Sequence, residues 1–283
     1  MQVSKKAVIF TDMDATLLDH ETYDWQPAAA VLSILAARGV PVCLCTSKTA
    51  AEVREWQRRL GLNSPFAAEN GAVVGLPPDI KTGTAGTRVV LGQARDSLQA
   101  LAYRLRRDKR YRFTGFGEMS IDAIQAATGL GAADAALAAQ REASEPLLWQ
   151  DTEAAAEAFS ADVAAAGAMT RAGGRFLHVL GHADKATALV WLRQRFEADG
   201  PIFAVALGDS DNDRTMLESA DIGYWVAKAD GRYHAPAAGH IRHAGGIGPA
   251  GWAAAIHDMI ERNELPGGSA DARSTSCHIR HQQ

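Results

Sequence analysis

The segment AVIFTDMDAT at residues 7–16 joins a short apolar run to two closely spaced carboxylates, and it decides how the rest of the chain is interpreted. Its apolar part is typical of a buried parallel strand. Two further apolar runs, VPVCLC at 40–45 and IFAVAL at 202–207, predict strands of the same kind. Between them, apolar residues recur at helical spacing, for example over 27–38 and 50–60. The alternation predicts an α/β fold with a doubly wound, Rossmann-like parallel sheet.

Composition narrows the class of protein. The 283 residues are 47% hydrophobic and 22% charged, as in a globular protein, and the net charge of −4 gives no basic footprint for nucleic acid. No apolar run approaches the ~20 residues of a membrane span, and the first one is too short for the core of a signal peptide. Cys43 and Cys45 share one face of a strand as buried thiols, and with Cys277 they form no disulfide framework. We therefore expect a cytoplasmic protein acting on a small molecule; the oligomeric state stays open.

The middle of the chain changes character. Prolines and glycines at 77–88 predict a linker, and the helices and strands that follow no longer alternate in the α/β manner. We predict a catalytic core formed by 1–83 and 182–265, with an inserted α+β domain at 84–181. Residues 266–283 have nothing to bury and predict a disordered tail.

Carboxylates cluster where two of the predicted strands end. Asp12 and Asp14 follow the first strand, and GDSDND at 208–213 follows the third. Such carboxylates repel one another unless a cation neutralises them or one keeps a proton. Both arrangements suit phosphoryl transfer, with Mg²⁺ shared by the phosphate and a second Asp acting as general acid and then base. A capped turn and an acidic helix N-terminus are the alternatives, but the shared sheet edge favours a site.

Two further groups suit a phosphate. Thr46-Ser47-Lys48 closes the second strand before a helix, where a hydroxyl and backbone N–H groups can bind phosphate or simply cap the helix. Lys185 stands at the start of another helix, where its charge opposes the helix dipole. Neutralising a phosphate is a better reason for a lysine in that place.

The order of these features resembles the four motifs of the haloacid dehalogenase (HAD) superfamily of phosphatases, and the insert resembles the cap of its Cof-like subclass. The superfamily usually has glycine where Ala15 stands, so the turn has less backbone freedom here. Further strings are similar to the mannosyl-3-phosphoglycerate phosphatase family: CTSKT (45–49), ENG (69–71), REASEP (141–146) and GRFLH (174–178).

The resemblance implies a role for each core motif. Asp12 attacks the phosphorus and becomes an aspartyl phosphate, while Asp14 protonates the leaving oxygen and then activates water. Thr46 and Lys185 hold the phosphoryl oxygens. Mg²⁺ is bound by Asp12, the backbone carbonyl of Asp14, and Asp209. A phosphoryl transition state is stabilised mainly by such positioning and countercharge.

The resemblance also implies supporting and substrate-binding residues. Asp213 orients Lys185 or a metal-bound water, with support from Asn212. Arg141 suits a substrate carboxylate, because guanidinium binds carboxylate bidentately; the alternative is a surface ion pair with Glu142 or Glu145. His178 either reaches a sugar hydroxyl or is a satisfied core histidine. The complete set of expected substrate contacts is Ser47, Lys48, Asn70, Arg141, Glu142, Ser144 and His178.

The expected reaction is Mg²⁺-dependent hydrolysis of mannosyl-3-phosphoglycerate to mannosylglycerate and phosphate. Glucosyl-3-phosphoglycerate differs by one epimeric hydroxyl, and sucrose- or trehalose-phosphate are further alternatives that lack the carboxylate.

Two classes of protein other than an enzyme are further alternatives. A receiver module of a response regulator uses similar residues but is much shorter and has no large insert, and a binding protein without catalysis would not need every reacting group.

Overall fold

The computed structural model describes residues 5–78, 86–173, 175–234 and 239–266. Within these ranges the chain forms two compact units. The first contains residues up to 44, residues 56–64 and residues from 189 onward; the second contains 45–55 and 65–188. These boundaries differ from those expected at 84 and 181, so the division into core and cap remains a prediction. The expected disordered tail falls on 267–283 and lies outside the described residues.

The elements of the described residues alternate along most of the chain. The strands are β1 (Lys6–Thr11), β2 (Val42–Leu44), β3 (Phe66–Ala68), β4 (Val73–Leu76), β5 (Thr87–Val90), β6 (Phe113–Gly115), β7 (Ser144–Trp149), β8 (Met169–Gly173), β9 (Phe176–Leu180), β10 (Ile202–Gly208), β11 (Ile222–Ala227) and β12 (Ile241–Ile247). The helices are α1 (Gln26–Ala37), α2 (Ala50–Leu60), α3 (Arg95–Lys109), α4 (Ile121–Thr128), α5 (Ala132–Ala138), α6 (Glu153–Ala165), α7 (Lys185–Glu197), α8 (Arg214–Ser219) and α9 (Gly248–Glu261).

The first unit is built on a five-stranded parallel sheet in the order β12-β11-β10-β1-β2. The apolar runs that predicted β1, β2 and β10 form its three adjacent strands, and these are almost wholly buried. Thr11 at the end of β1 is in register with Leu207 of β10 on one side and with Leu44 of β2 on the other. The chain order reverses between β1 and β10, which is the place where open α/β sheets bind ligands. This architecture confirms the predicted α/β fold with a parallel sheet.

Helices α1 and α9 pack together in this unit. Helix α1 has a proline in its first turn, and Gly39 with φ +64° follows its end. Proline is tolerated at that start and glycine adopts this left-handed conformation at little cost, which explains both boundaries. In α9 the buried Trp252 donates its Nε1–H to Thr11 Oγ1 at 3.0 Å, which ties this helix to the end of β1.

The second unit contains a four-stranded antiparallel sheet in the order β6-β7-β9-β8, together with a smaller sheet of β3, β4 and β5. Helices α3 and α6 pack on the four-stranded sheet. The core between them contains Leu98, Phe113, Leu147, Phe159 and Val179. Alternation along β7 and β9 places the intervening residues, such as His178, on the other face.

No strand was expected at β5, β8 or β12. Each lies at an edge of its sheet and is exposed along much of its length. An edge strand with solvent on one side needs no continuous apolar run, so its pairing depends on the neighbouring strand more than on its own sequence. The linker expected at 77–88 is wrong at its end, because β5 begins at Thr87. Of that linker, 79–85 lie outside the described residues.

Cys43 in β2 and Cys45, which follows β2, are buried thiols, as expected, whereas Cys277 lies outside the described ranges. Among the residues that the structure describes, no helix combines the length and apolar character needed to cross a bilayer.

Replacing Phe159 by alanine tests the core of the second unit. Phe159 is fully buried, and its ring centroid lies 5.3 Å from those of Tyr111 and Trp149 and 5.4 Å from that of Phe113. We expect Phe159→Ala to lower the free energy of unfolding by about 3–5 kcal/mol, because it leaves a cavity among rings that cannot collapse onto it. Urea unfolding measures the change. Val190→Ala on the exposed surface should stay within about 0.5 kcal/mol of the wild type; equal losses in the two variants would contradict the prediction.

Candidate active site

An acidic centre lies at the end of β1 and β10, in the first unit. The Asp12 N–H donates to the Leu207 carbonyl at 2.9 Å, which fixes Asp12 beside the end of β10. Carboxylate oxygens of Asp12, Asp209 and Asp213 lie within 4.8 Å of one another. Each of the three residues is at most 9% exposed. The expectation that Asp12 and Asp209 converge is therefore confirmed, and Asp213 joins them.

Backbone and hydroxyl donors lie around these carboxylates. Asp213 Oδ2 accepts the backbone N–H of Asp209 at 3.2 Å and that of Ser210 at 3.0 Å, and it also accepts the Ser210 hydroxyl at 3.1 Å. Thr16 Oγ1 donates to Asp209 Oδ1 at 3.2 Å. All of these are neutral donors. Three carboxylates in one buried space supply the oxygen ligands that hard divalent cations prefer, so the residues fit such an ion.

The loop after β10 depends on a glycine. A Cβ atom on Gly208 would lie 2.3 Å from the Asp213 Cβ, closer than non-bonded carbon atoms can approach. The Ser210 hydroxyl donates to Asn212 Oδ1 at 2.5 Å, in addition to its bond with Asp213. The loop thus folds back on itself because Gly208 leaves room for the Asp213 side chain. Asn212 supports the geometry of this loop, within reach of Ser210.

Asp14 lies in the turn that follows β1. The Met13 carbonyl accepts N–H groups from Thr16 at 3.2 Å and from Leu18 at 2.8 Å, which closes the turn. Ala15 has φ +58°. This is the left-handed conformation that glycine adopts freely and alanine does not, so the departure from the family pattern costs some stability. The Asp14 side chain is half-buried and is not one of the three clustered carboxylates.

The short turn Glu69–Gly71 organises the predicted phosphate-binding residues of the second unit. Its Asn70 N–H donates to the Thr46 carbonyl at 2.9 Å, and its Glu69 N–H donates to the Lys48 carbonyl at 2.8 Å. On its other side, a Cβ atom on Gly71 would lie 2.0 Å from the Asp184 carbonyl oxygen. Only glycine allows this approach, and it places the backbone that precedes Lys185 beside the same turn. Thr46 and Lys185 are thus held by one structural feature.

Both helix starts near this turn are capped within the protein. Thr49 and Glu52 form a reciprocal cap on α2, with N–H to side-chain distances of 2.8 and 3.1 Å. Asp184 Oδ1 caps α7 by accepting the Thr187 N–H at 2.8 Å. The N–H groups of Thr46 and Lys48 also donate within the protein. We therefore expect phosphate contacts of this loop to come mainly from side chains, and Lys185, which is fully buried, is a charged candidate.

Arg141 contacts backbone oxygens in place of the acidic side chains considered above. Its Nη1 donates to the Ser47 carbonyl at 2.9 Å, and its Nε donates to the Ala138 carbonyl at 3.2 Å. The Glu142 carboxylate pairs with Arg88 at 3.1 Å, and that of Glu145 pairs with Arg95 at 2.8 Å. The alternative of an ion pair between Arg141 and either glutamate is therefore not the arrangement found.

Ser144 does not fit its expected role as a substrate contact. The residue is fully buried, and its hydroxyl donates to Glu69 Oε2 at 2.5 Å and accepts from Arg141 Nη1 at 3.4 Å. These bonds occupy the hydroxyl inside the protein. The Glu142 N–H is likewise used, because it donates to Glu69 Oε1 at 2.7 Å.

His178 lies on β9 in register with Arg171 of β8 and Pro146 of β7. The residue is half-buried, and its Nδ1 atom is fully buried and has no hydrogen-bond partner among the described residues. Burial, and then the nearby positive charges of Arg141 and Arg171, lowers the pKa of His178 to about 3. The imidazole is therefore neutral at pH 7, within the electrostatic influence of two guanidinium groups. It is not a core histidine whose ring nitrogens are all satisfied by the surrounding protein.

Three residues of these sites were not assigned from the sequence. Thr16 ends the DMDAT string at residues 12–16, so that motif could have identified it as a residue of the site; its hydroxyl donates to Asp209. Glu69 belongs to the ENG string, but nothing in the sequence shows which groups its carboxylate accepts. Arg171 lies on an edge strand that was not predicted, so its pairing with His178 could not be predicted from the sequence either.

A parallel sheet with buried carboxylates at the point where its strand order reverses is typical of enzymes of the doubly wound α/β class that use a divalent cation. The chain belongs to the haloacid dehalogenase-like hydrolase family, whose profile matches residues 9–103 and 148–243. It is therefore a hydrolase.

Named and solved relatives agree with this assignment. The chain is 35% identical over 280 residues to the glucosyl-3-phosphoglycerate/mannosyl-3-phosphoglycerate phosphatase of Methanococcoides burtonii, covering 91% of this chain and 98% of that protein. Among solved structures, a Thermoplasma acidophilum protein matches with a TM-score of 0.67 and 16% identity over 92% of this chain and 99% of that chain. The sucrose-phosphatase of Synechocystis sp. matches with a TM-score of 0.60 and 16% identity, over 92% and 98% of the two chains. These two structures show the shared fold.

Replacing Ala15 by glycine should raise stability. Because Ala15 has φ +58°, glycine removes a steric conflict that exceeds its own entropic cost, and we expect a gain of up to about 1 kcal/mol. Urea unfolding measures it. The matched control is Ala158→Gly in the middle of α6, which should lose about 1 kcal/mol. A loss in both variants would show that Ala15 is not strained.

The neutral state of His178 predicts a pH dependence of stability. The unfolded chain binds a proton at His178 near pH 6.5, whereas the folded protein binds it only near pH 3, so stability is lost as the pH falls through this window. Between pH 7 and pH 5 the loss from this group is about 2 kcal/mol. The unfolding free energy of His178→Gln should therefore fall by that much less than that of the wild type. Equal slopes in the two proteins would refute the assignment.

Proposed function

We propose that this protein is a Mg²⁺-dependent phosphatase that hydrolyses a glycosyl-3-phosphoglycerate, with the mannosyl compound as first candidate and the glucosyl compound as alternative. The observation that carries the proposal is the convergence of Asp12 with Asp209 and Asp213 at the point where the strand order reverses. A carboxylate nucleophile beside a divalent-cation site is what phosphoryl transfer through an aspartyl phosphate requires.

The reaction has two steps on the residues of this chain. Asp12 attacks the phosphorus, the bond from phosphorus to the ester oxygen breaks, and Asp14 donates a proton to that oxygen. Asp14 then takes a proton from water, whose oxygen attacks the phosphorus of the aspartyl phosphate. Inorganic phosphate leaves, and the Asp12 carboxylate and the Asp14 acid are regenerated. One group thus acts as acid and then as base, which requires a carboxyl outside the metal cluster, and the Asp14 side chain satisfies this requirement.

The cation would be held by Asp12, Asp209 and the Asp14 backbone carbonyl. When bound, it supplies positive charge that offsets the charge of the phosphoryl oxygens and of the carboxylates. Asp213, whose carboxylate lies beside those of Asp12 and Asp209, would orient Lys185 or a water at the cation, and it also orders the loop that carries Asp209. Asn212 supports that loop through Ser210.

Thr46 and Lys185 take the phosphoryl oxygens in this proposal. The shared turn Glu69–Gly71 supports their pairing, because it contacts the Thr46 carbonyl on one side and the Asp184 carbonyl on the other. Ser47, Lys48 and Asn70 lie on the same loop and turn and are proposed as further contacts to phosphate or glycerate.

A carboxylate on the substrate is recognised by Arg141, Arg171 and the neutral His178. The two guanidinium groups lie close enough to lower the pKa of His178, and its Nδ1 is a buried polar atom that a ligand can satisfy. The name of the Methanococcoides burtonii relative supports a substrate with both a phosphate and a carboxylate. Sucrose-phosphate has no carboxylate for these residues to bind, so it is a weaker candidate substrate even though the sucrose-phosphatase shares the fold.

Replacing Asp12 by asparagine should abolish phosphate release from mannosyl- and glucosyl-3-phosphoglycerate, because an amide is not a competent nucleophile for phosphorus. A colorimetric phosphate assay with Mg²⁺ measures the rate. Asp211→Asn is the matched control, since Asp211 lies in the same acidic loop as Asp209 but its side chain is 77% exposed. The control should keep wild-type activity. Wild-type protein that releases no phosphate from either compound or from other sugar phosphates would refute the proposal.

Chelation tests the cation. EDTA should abolish phosphate release, and added Mg²⁺ should restore it, because the clustered carboxylates otherwise repel both one another and the substrate phosphate. Activity that persists after exhaustive chelation would contradict a metal-dependent mechanism.

Arg141→Ala separates the candidate substrates. Loss of a guanidinium that binds carboxylate should lower kcat/KM for glycosyl-3-phosphoglycerates by about ten- to a hundredfold, and that for sucrose-phosphate much less. Because Arg141 also holds the Ser47 carbonyl, Arg141→Lys serves as a second variant. An equal loss on all substrates in both variants would assign Arg141 to the loop alone.

A further inference from the structure

Glu69 is a fully buried carboxylate that the reaction above does not use. Its Oε1 accepts the Glu142 N–H at 2.7 Å, and its Oε2 accepts the Ala143 N–H at 3.1 Å and the Ser144 hydroxyl at 2.5 Å. Three donors from one short segment therefore converge on a single side chain, more than 70 residues away in the sequence.

The backbone of the same residue holds the phosphate loop. The Glu69 N–H donates to the Lys48 carbonyl at 2.8 Å, and the next residue donates to the Thr46 carbonyl at 2.9 Å. Glu69 is thus the direct link between residues 46–48 and residues 142–144. Arg141, which precedes that segment, makes a second connection to the same loop, because its Nη1 donates to the Ser47 carbonyl at 2.9 Å.

The backbone at this link adopts a costly conformation. Glu69 has φ +51° and Asn70 has φ +58°, and neither is glycine. Two consecutive left-handed residues that are not glycine persist only where the surroundings over-determine them, and such strain is concentrated at functional sites. The hydrogen bonds on both sides of Glu69 are the surroundings that hold it.

We infer that Glu69 is a positioning residue for substrate recognition: its carboxylate sets the place of Arg141 relative to the loop Thr46–Lys48. The inference rests on the proposed function, in which that loop binds phosphate and Arg141 binds the substrate carboxylate. On a glycosyl-3-phosphoglycerate those two groups are joined through the three-carbon glycerate chain, which limits the distance between them. A link that fixes the matching distance in the protein selects for this substrate class over phosphates without a carboxylate.

A second buried carboxylate provides a matched control. Glu145 is also fully buried, but alternation along β7 turns it to the opposite face from Ser144. It accepts from Arg95 at 2.8 Å, Gln99 at 3.1 Å, Tyr103 at 2.9 Å and the Gly117 N–H at 2.8 Å. Its donors include none of the residues 46–48 or 141–144, so its loss should affect stability without affecting recognition.

The test compares Glu69→Gln with Glu145→Gln on two substrates. One is the glycosyl-3-phosphoglycerate that the wild type hydrolyses best, and the other is p-nitrophenyl phosphate, which has no carboxylate. The amide of Glu69→Gln places an N–H₂ group where N–H donors already point, so we expect KM for the first substrate to rise about ten- to a hundredfold. For p-nitrophenyl phosphate, and for kcat on either substrate, we expect changes below about threefold. Glu145→Gln should lower the melting temperature and leave both KM values near those of the wild type.

Ser144→Ala is the milder variant should Glu69→Gln fail to fold. It removes one of the three donors, and we expect a smaller rise in KM for the glycosyl substrate alone. The combined Glu69→Gln/Ser144→Ala variant should be no worse than Glu69→Gln, because both changes break the same link.

The outcomes separate the two proposals. The inference is wrong if the wild type is active and Glu69→Gln changes KM equally for both substrates. It is also wrong if Glu69→Gln only lowers the melting temperature, as Glu145→Gln should. In either case the proposed function would still stand. A wild-type protein that hydrolyses only phosphates without a carboxylate would overturn the proposed substrate, and the inference with it.

Discussion

Repulsion among buried carboxylates is the constraint on which the first unit depends. Two unit charges 4.8 Å apart repel by about 3 kcal/mol at an effective dielectric constant near 20, and the acidic centre contains three such pairs within that distance. The parallel pairing of β1 with β10 brings Asp12 and Asp209 together regardless of this repulsion, because the register is fixed by the apolar strand residues. A divalent cation is the simplest way to relieve it, and phosphate chemistry uses the same charge.

The surrounding loop is built to tolerate the acidic centre as well as to form it. Asp213 receives three neutral donors from its own loop, which lowers the cost of burying its charge. Gly208 makes room for that arrangement. The turn after β1 contains a left-handed Ala15. Strain and buried charge thus meet at the carboxyl ends of two adjacent strands, where the apolar core is extensive enough to hold them.

In the second unit, buried carboxylates are stabilised by hydrogen bonds. Glu69 and Glu145 are both fully buried, and each accepts several donors from segments distant in sequence. A buried carboxylate without such donors would cost several kcal/mol, so these networks specify one arrangement of the segments that they join. On β7 the two faces are divided: one carries the network of Glu145 and the aromatic core, and the other carries Ser144 and the groups around His178. One face of the sheet is therefore stabilised by packing, and the other is the face to which the proposed function assigns ligand recognition.

The amino-acid sequence by itself determined the parallel sheet, the strands β1, β2 and β10, and the carboxylates that follow them, because each is recorded in a short local pattern. The tertiary structure alone decided which donors Glu69 accepts, that Ser144 is buried, and that Arg171 lies beside His178. It also decided the pairing of β5, β8 and β12, whose exposed sequences have no apolar period of their own. The physical reason is the separation along the chain. Apolar runs and strand ends are encoded by neighbouring residues, whereas the Glu69 carboxylate and its donors lie over 70 residues apart and meet only when packing brings them together.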